Sequence, residues 1–120
     1  MNYKYSEDMK YLALYWALRF VETEEDIMVK EYKGGYKITI DAENQYVDFG
    51  NRITMIGDKT LSLTDHKSFV ILECVDKLLS MGYLPSEIII DLQNEFDIFY
   101  TIPQLQLVCR YVYLLPVIEI

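Results

Sequence analysis

Few residues in this 120-residue chain are suited to bond-making chemistry, and their spacing joins none of them into a known catalytic arrangement. His66 is its single histidine. A general base must sit within reach of the proton it takes, and the sequence places no nucleophile beside His66, so a polar residue in the first turn of a helix is the simpler reading. Cys74 and Cys109 lie in the apolar contexts LECV and LVCRYV, without CxxC spacing. They have too few companions for a disulfide framework or a four-thiolate metal site, and read as buried, inert thiols of a reducing compartment. HExxH, GxSxG, the P-loop and GxGxxG are absent, which removes support for zinc-protease, serine-hydrolase and nucleotide-binding chemistry. No cofactor and no metal site is expected on these grounds.

Carboxylates offer one alternative. ITIDAENQYVDF at 38–49 recurs fifty positions later as IIIDLQNEFDIF at 88–99, which sets Asp41 and Asp91 in matching places. Similarity at a fixed offset marks a duplicated supersecondary unit. The two aspartates would then end equivalent strands and, with Asp48 or Asp97, offer clustered oxygens to a divalent cation. A metal-dependent enzyme using Asp41 and Asp91 is thus one reading, set against ordinary solvated carboxylates at strand ends. The match spans only twelve residues, so chance likeness of two β-hairpins competes with duplication. Residues 66–91, HKSFVILECVDKLLSMGYLPSEIIID, also loosely resemble the opening of restriction-type nuclease modules: a helix ends in GY-x-P and runs into an acid-terminated strand. That family's D…(D/E)xK core needs a lysine two residues beyond a strand carboxylate. Asp91, Asp97 and Glu119 have none, so the resemblance implies at most an inactive relative.

Acidic residues form a clearer pattern. ETEED at 22–26, with Glu31, Asp41, Glu43 and Asp48 and the earlier Glu7 and Asp8, gives residues 1–50 ten acids against six bases, within a net charge of −8. Nucleic-acid affinity comes from Lys and Arg neutralising phosphates, so direct nucleic-acid binding is not expected, and anionic membranes are disfavoured for the same reason. No stretch approaches the ~18 uncharged residues that span a bilayer, and no signal-peptide pattern opens the chain. A cytoplasmic protein is expected. The charge suits a protein partner with a basic surface, and eleven tyrosines with Trp16 suit an aromatic contact surface. Solubility and packing over a sheet are the plainer explanations of the same residues. The expected partner-binding residues are Glu22, Glu24, Glu25, Asp26, Glu31 and Tyr32.

The elements that position these residues follow from periodicity. Ser6, followed by Glu7 and Asp8, caps a helix expected to run to about Val21, with Met9, Leu12, Ala13, Trp16 and Phe20 on one apolar face. ETEED reads as a solvated connection. Ile27 to Tyr32 and YKITIDA flank the Gly34-Gly35 turn as a hairpin. ENQ then leads to YVDFG, and Gly57-Asp58 separates two more short strands, making a meander of four or five. A second helix follows Thr64-Asp65, with Glu73, Asp76, Lys77 and Ser80 on its polar side and Gly82 and Pro85 at its end. Residues 86–102 alternate between a hairpin around Asn94-Glu95 and a helix, the hairpin being preferred. The tail at 105–115 leans to a strand.

The expected fold is therefore α+β, one domain over 1–120, with two main helices packed on a mostly antiparallel sheet and two duplicated helix–hairpin units if the echo is real. The expected function is that of a small acidic intracellular inhibitor or immunity-type protein, of a phage or mobile-element anti-defence kind. It would block a nucleic-acid-processing enzyme or toxin by covering its basic surface. A structural or oligomerising subunit, a homodimer included, is the alternative suggested by the all-round apolar first helix and the C-terminal LLPVIEI.

Overall fold

The computed structural model describes residues 14–64, 66–93, 106–109 and 111–114. In chain order the strands are β1 (Val21–Glu24), β2 (Ile27–Glu31), β3 (Lys37–Asp41), β4 (Tyr46–Asp48), β5 (Thr54–Ile56) and β6 (Thr60–Ser62). Helix α1 (His66–Ser80) follows, then a 3-10 turn at Pro85–Glu87, β7 (Ile88–Asp91), β8 (Gln106–Cys109) and β9 (Val112–Leu114). The strands form a five-stranded sheet in the order β1-β2-β3-β4-β6 and a four-stranded sheet in the order β5-β7-β9-β8. The fold is α+β with one long helix among the described residues.

Period-two alternation builds the five-stranded sheet, because successive side chains of a strand point to opposite faces. Met28, Ile40, Val47 and Leu61 face one another across consecutive strands and are all buried. Their neighbours Glu31, Lys37, Tyr46, Asp48, Thr60 and Ser62 stand exposed on the other face. The hairpin at Gly34-Gly35 forms as its turn chemistry predicts: Tyr32 N–H donates to Tyr36 O at 2.7 Å, and both glycines have positive φ.

Helix α1 buries Ile71, Leu72, Val75, Leu78 and Leu79 in a single core shared with both sheets. Full burial of each such side chain contributes about 1.5–3 kcal/mol. The helix stops at Gly82, whose φ of 103° suits a residue without Cβ. Tyr83 N–H reaches Leu78 O at 3.1 Å and Gly82 N–H reaches Leu79 O at 3.1 Å, the pairing of a Schellman cap.

Four expectations change. Val21–Glu24 is a strand, so most of the ETEED run is paired edge rather than connection. The first helix, expected to run to about Val21, ends at residue 17: a turn follows and Val21 already opens β1, while its part before residue 14 lies outside the described residues; Tyr15 is buried, and Trp16 is 60% exposed rather than on an apolar inner face. β5 leaves the meander: Gly57 carries the chain across, and β5 pairs in parallel with β7 in the other sheet. The duplication is not reproduced either. Residues 38–49 form the β3–β4 hairpin, whereas β7 already has β5 on one side and β9 on the other. Both backbone edges of Ile89 and Ile90 are therefore taken, leaving a partner strand from the same echo nowhere to pair. Residues 94–100, where that second hairpin was expected, lie outside the described residues. The tail is extended as expected, but as two strands, β8 and β9, that turn back on each other.

Candidate functional site

Strand β1 is an edge of the five-stranded sheet among the described residues, and all four of its residues are exposed. Its pairing with β2 slips between Glu22 and Glu24: Glu22 opposes Met28 and Glu24 opposes Ile27. The irregularity at Thr23 has a direct electrostatic result. Glu22 shares the side of buried Met28, Glu24 shares the side of Ile27, and the edge carries a carboxylate on each face. Glu25 and Asp26 form the two-residue turn into β2, both exposed, with Asp26 in the left-handed region at φ 61° that aspartate tolerates better than most residues.

The open face of the same sheet continues the pattern. By register it carries Glu24, Glu31, Asp41 and Asp48 around Val21, Ile27, Val29, Thr39 and Tyr46. Lys37, opposite Glu31, is the base among these strand residues. Asp41 accepts hydrogen bonds from Asn44 N–H at 2.9 Å and Asn44 Nδ2 at 3.0 Å. The backbone donor, then the side-chain amide, holds its carboxyl below the usual carboxylate range, so it stays anionic. Asp48 accepts from Gly50 N–H at 2.8 Å. Trp16, 60% exposed, and Val21, 64% exposed, add apolar surface around the start of the edge.

Strand alternation sends the neighbouring base the other way. Lys30 lies between Val29 and Glu31 and points to the covered face, where its Nζ is 2.6 Å from Asp76 Oδ1. Tyr32 donates its hydroxyl to the same oxygen at 2.5 Å, and Lys30 Nζ stands 5.1 Å from the centre of the Tyr32 ring. Burial, and then the Asp76 carboxylate, push the Tyr32 hydroxyl well above the usual phenol range. Tyr36 is raised by burial too, and donates to Phe49 O at 2.5 Å. Tyr32 was expected at a partner surface; the structure places it in the core at 8% exposure. Asp76, expected on the polar side of the helix, is likewise buried at 8%, while Glu73, Lys77 and Ser80 are exposed.

The other chemistry-bearing residues are dispersed. Asp41 ends a strand of one sheet and Asp91 a strand of the other; Asp91 is buried and accepts from Gln93 N–H at 3.1 Å. No group of three or more His, Cys, Asp or Glu suited to a metal ion occurs among the described residues. His66 opens α1. Cys74 and Cys109 are half-buried rather than buried, and both are free thiols. Comparison with protein-family models, with curated proteins and with solved structures finds no match to this chain. No helix among the described residues is long and apolar enough to cross a membrane.

Proposed function

We propose that this protein is a small acidic binding protein of the cytoplasm that inhibits a nucleic-acid-processing enzyme or toxin by occupying its basic, phosphate-binding surface. One observation carries the reading: Glu22, Glu24, Glu25, Asp26 and Glu31 stand exposed on β1, its turn and β2, while Lys30 is turned inward onto Asp76 and only Lys37, opposite Glu31, offsets them on the open face of these strands. A basic cleft is built to meet closely spaced negative charge, and complementary potential accelerates encounter and rejects wrong partners. Among the described residues no strand pairs with the outer side of β1, which adds a directional element, since an edge strand accepts a partner strand by β-augmentation. Trp16 and Val21 supply apolar surface of the kind that anchors protein interfaces.

A second copy of this chain is a poor occupant of that edge. Two β1 strands side by side would bring Glu22 and Glu24 against the same acids of the partner, and like charges facing across strands destabilise a pair. The edge therefore favours a partner of opposite charge over self-association.

Reversal of Glu22, Glu24, Glu25 and Asp26 to Lys tests this directly. All four side chains are exposed, so the fold should persist, with a change of up to ~0.5 kcal/mol at each of Glu22, Glu24 and Glu25 and a larger one at Asp26, whose φ of 61° suits Asp better than Lys. Binding to, and inhibition of, a nucleic-acid-processing enzyme captured by the wild-type protein should be lost. Undiminished inhibition by the reversed variant refutes the assignment.

A further inference from the structure

Strand β1 presents its two carboxylates in an order that a regular strand does not allow. Residues two apart in a strand share a face, whereas neighbours point to opposite faces. Glu22 and Glu24 are two apart, yet Glu22 opposes Met28 on the covered face and Glu24 opposes Ile27 on the open face. β2 runs in unbroken register against β3 from Ile27 to Glu31, so the extra residue, Thr23, belongs to β1. Val21 opposes Val29, shares the open face with Glu24 and is 64% exposed. All four residues of β1 are exposed, and among the described residues no strand pairs with its outer side. The two ends of the strand differ in sign: Arg19 stands exposed two residues before Val21, and Glu25 and Asp26 follow Glu24.

Resting on the binding function assigned above, we propose that β1 takes an extended segment of its protein partner as an added strand, and that it selects two adjacent basic residues next to an apolar one. A strand laid along the outer side of β1 keeps the regular alternation. Its residue opposite Glu22 points to the covered side and its residue opposite Glu24 to the open side. Cations therefore reach both carboxylates when they are neighbours in sequence. Bases spaced as Lys-x-Lys share a face and match one carboxylate only. The residue beyond the one opposite Glu22 comes to Val21, where an apolar side chain completes the row.

A bulge and charged side chains on an edge turn away indiscriminate strands. On β1 that exclusion has a sign. A neutral strand would leave Glu22 and Glu24 unmatched, and an acidic strand, a second β1 included, would set like charges opposite one another. A strand with adjacent bases gains an opposite charge on each face, together with the backbone hydrogen bonds of β-augmentation. Lys30 does not compete for these carboxylates, because its Nζ is held 2.6 Å from Asp76 Oδ1 on the inner side. A basic enzyme that carries such a segment is thereby gripped in a fixed register, where charge alone would hold it loosely.

Titration of the isotope-labelled full chain with capped hexapeptides at low salt, read by backbone amide shifts, provides the test. Thr-Ile-Lys-Lys-Ile-Thr reads the same in both directions and so pairs in either orientation. Thr-Lys-Ile-Lys-Ile-Thr has the same composition with both bases on one face. The first peptide should shift the amides of Val21–Glu24 and bind about fivefold more tightly than the second. N-methylation of both its lysine backbone nitrogens should abolish the shifts, since the charges stay while the strand can no longer pair. In Glu22→Gln and in Glu24→Gln the preference between the two peptides should vanish. Equal binding of the two peptides by the wild type, undiminished binding of the N-methylated one, or shifts centred away from β1 would overturn the proposal. So would β1 shifts that follow the protein's own concentration, the mark of a second copy on the edge. Inhibition that survives reversal of Glu22, Glu24, Glu25 and Asp26 to Lys is a separate failure, that of the acidic edge as the enzyme's contact.

Discussion

Removing the carboxylate of Asp76 should destabilise the protein far more than removing the whole polar cluster it belongs to. Lys30 Nζ lies 2.6 Å from Asp76 Oδ1, with the two side chains only 16% and 11% exposed. At an effective dielectric near 20 the gross attraction over that distance is about 6 kcal/mol. Desolvation of two largely buried ions costs several kcal/mol each, so the net value of the pair is close to zero. The cost of halving it is not. Asp76→Ala leaves an ammonium group and the Tyr32 hydroxyl unpaired together in the core, a loss of about 3 kcal/mol after allowance for residual solvent access. For a domain of this size that lowers Tm by about 12 °C. Lys30→Met leaves Asp76 still bonded to Tyr32 and should cost about half as much. The triple variant Lys30→Met, Tyr32→Phe, Asp76→Leu removes every partner and should return to within about 1 kcal/mol of wild type. Urea unfolding with an unchanged m-value is the assay. Simple addition of the three single losses in the triple variant would show that the cluster is not coupled, and would refute the reasoning.

Two further outcomes follow from groups in and around the core. Tyr32 and Tyr36 both have folded-state pKa values raised above the ordinary 10.0, chiefly by burial. Their contribution is intact below that value and is lost as pH rises through and beyond it, because only the unfolded chain then ionises freely. Unfolding midpoints should fall from about pH 10 upward, and a Tyr32→Phe, Tyr36→Phe variant should show a visibly shallower alkaline decline. Gly57 sits at φ 106°, and a Cβ there would meet Leu92 Cβ at 3.2 Å. Gly57→Ala should therefore cost about 1–3 kcal/mol in urea unfolding, and a neutral result would contradict the placement of the crossover from β5.

Much of the fold was legible in the sequence where one face of an element is dry. Ile38, Ile40 and Val47 alternate with polar residues, and the β2–β3–β4 hairpins form with the turns that Gly34-Gly35 and Glu43-Asn44-Gln45 signal. Helix α1 ends at Gly82 for the same local reason. What escaped was non-local. Gly57-Asp58 carries the composition of a hairpin turn, but the chain crosses between sheets there, and nothing within a few residues distinguishes the two. Ile88–Asp91 is buried on both faces, so its apolar run lacks the alternation that would reveal its neighbours. Likewise Lys30 and Asp76 meet through a contact forty-six residues apart in sequence. Asp76 sits directly after Val75 and three before Leu79, at the border of the apolar arc; that position was the available signal for its burial. The acidic run was visible from composition, whereas its placement on a β edge, with Lys30 turned away from it, needed the register.

The central claim is that the exposed acids of β1 and its turn make the contact with a basic enzyme surface. Wild-type protein and the variant with Glu22, Glu24, Glu25 and Asp26 changed to Lys should be immobilised in parallel, and the captured nucleic-acid-processing enzyme titrated against each at two salt concentrations. Tight, salt-sensitive binding that abolishes the enzyme's activity is expected for the wild type, with at least a hundredfold loss in the variant. Equal affinity for the two proteins, or catalytic turnover by the purified chain itself that is lost on neutralising Asp41 or Asp91, would contradict the account.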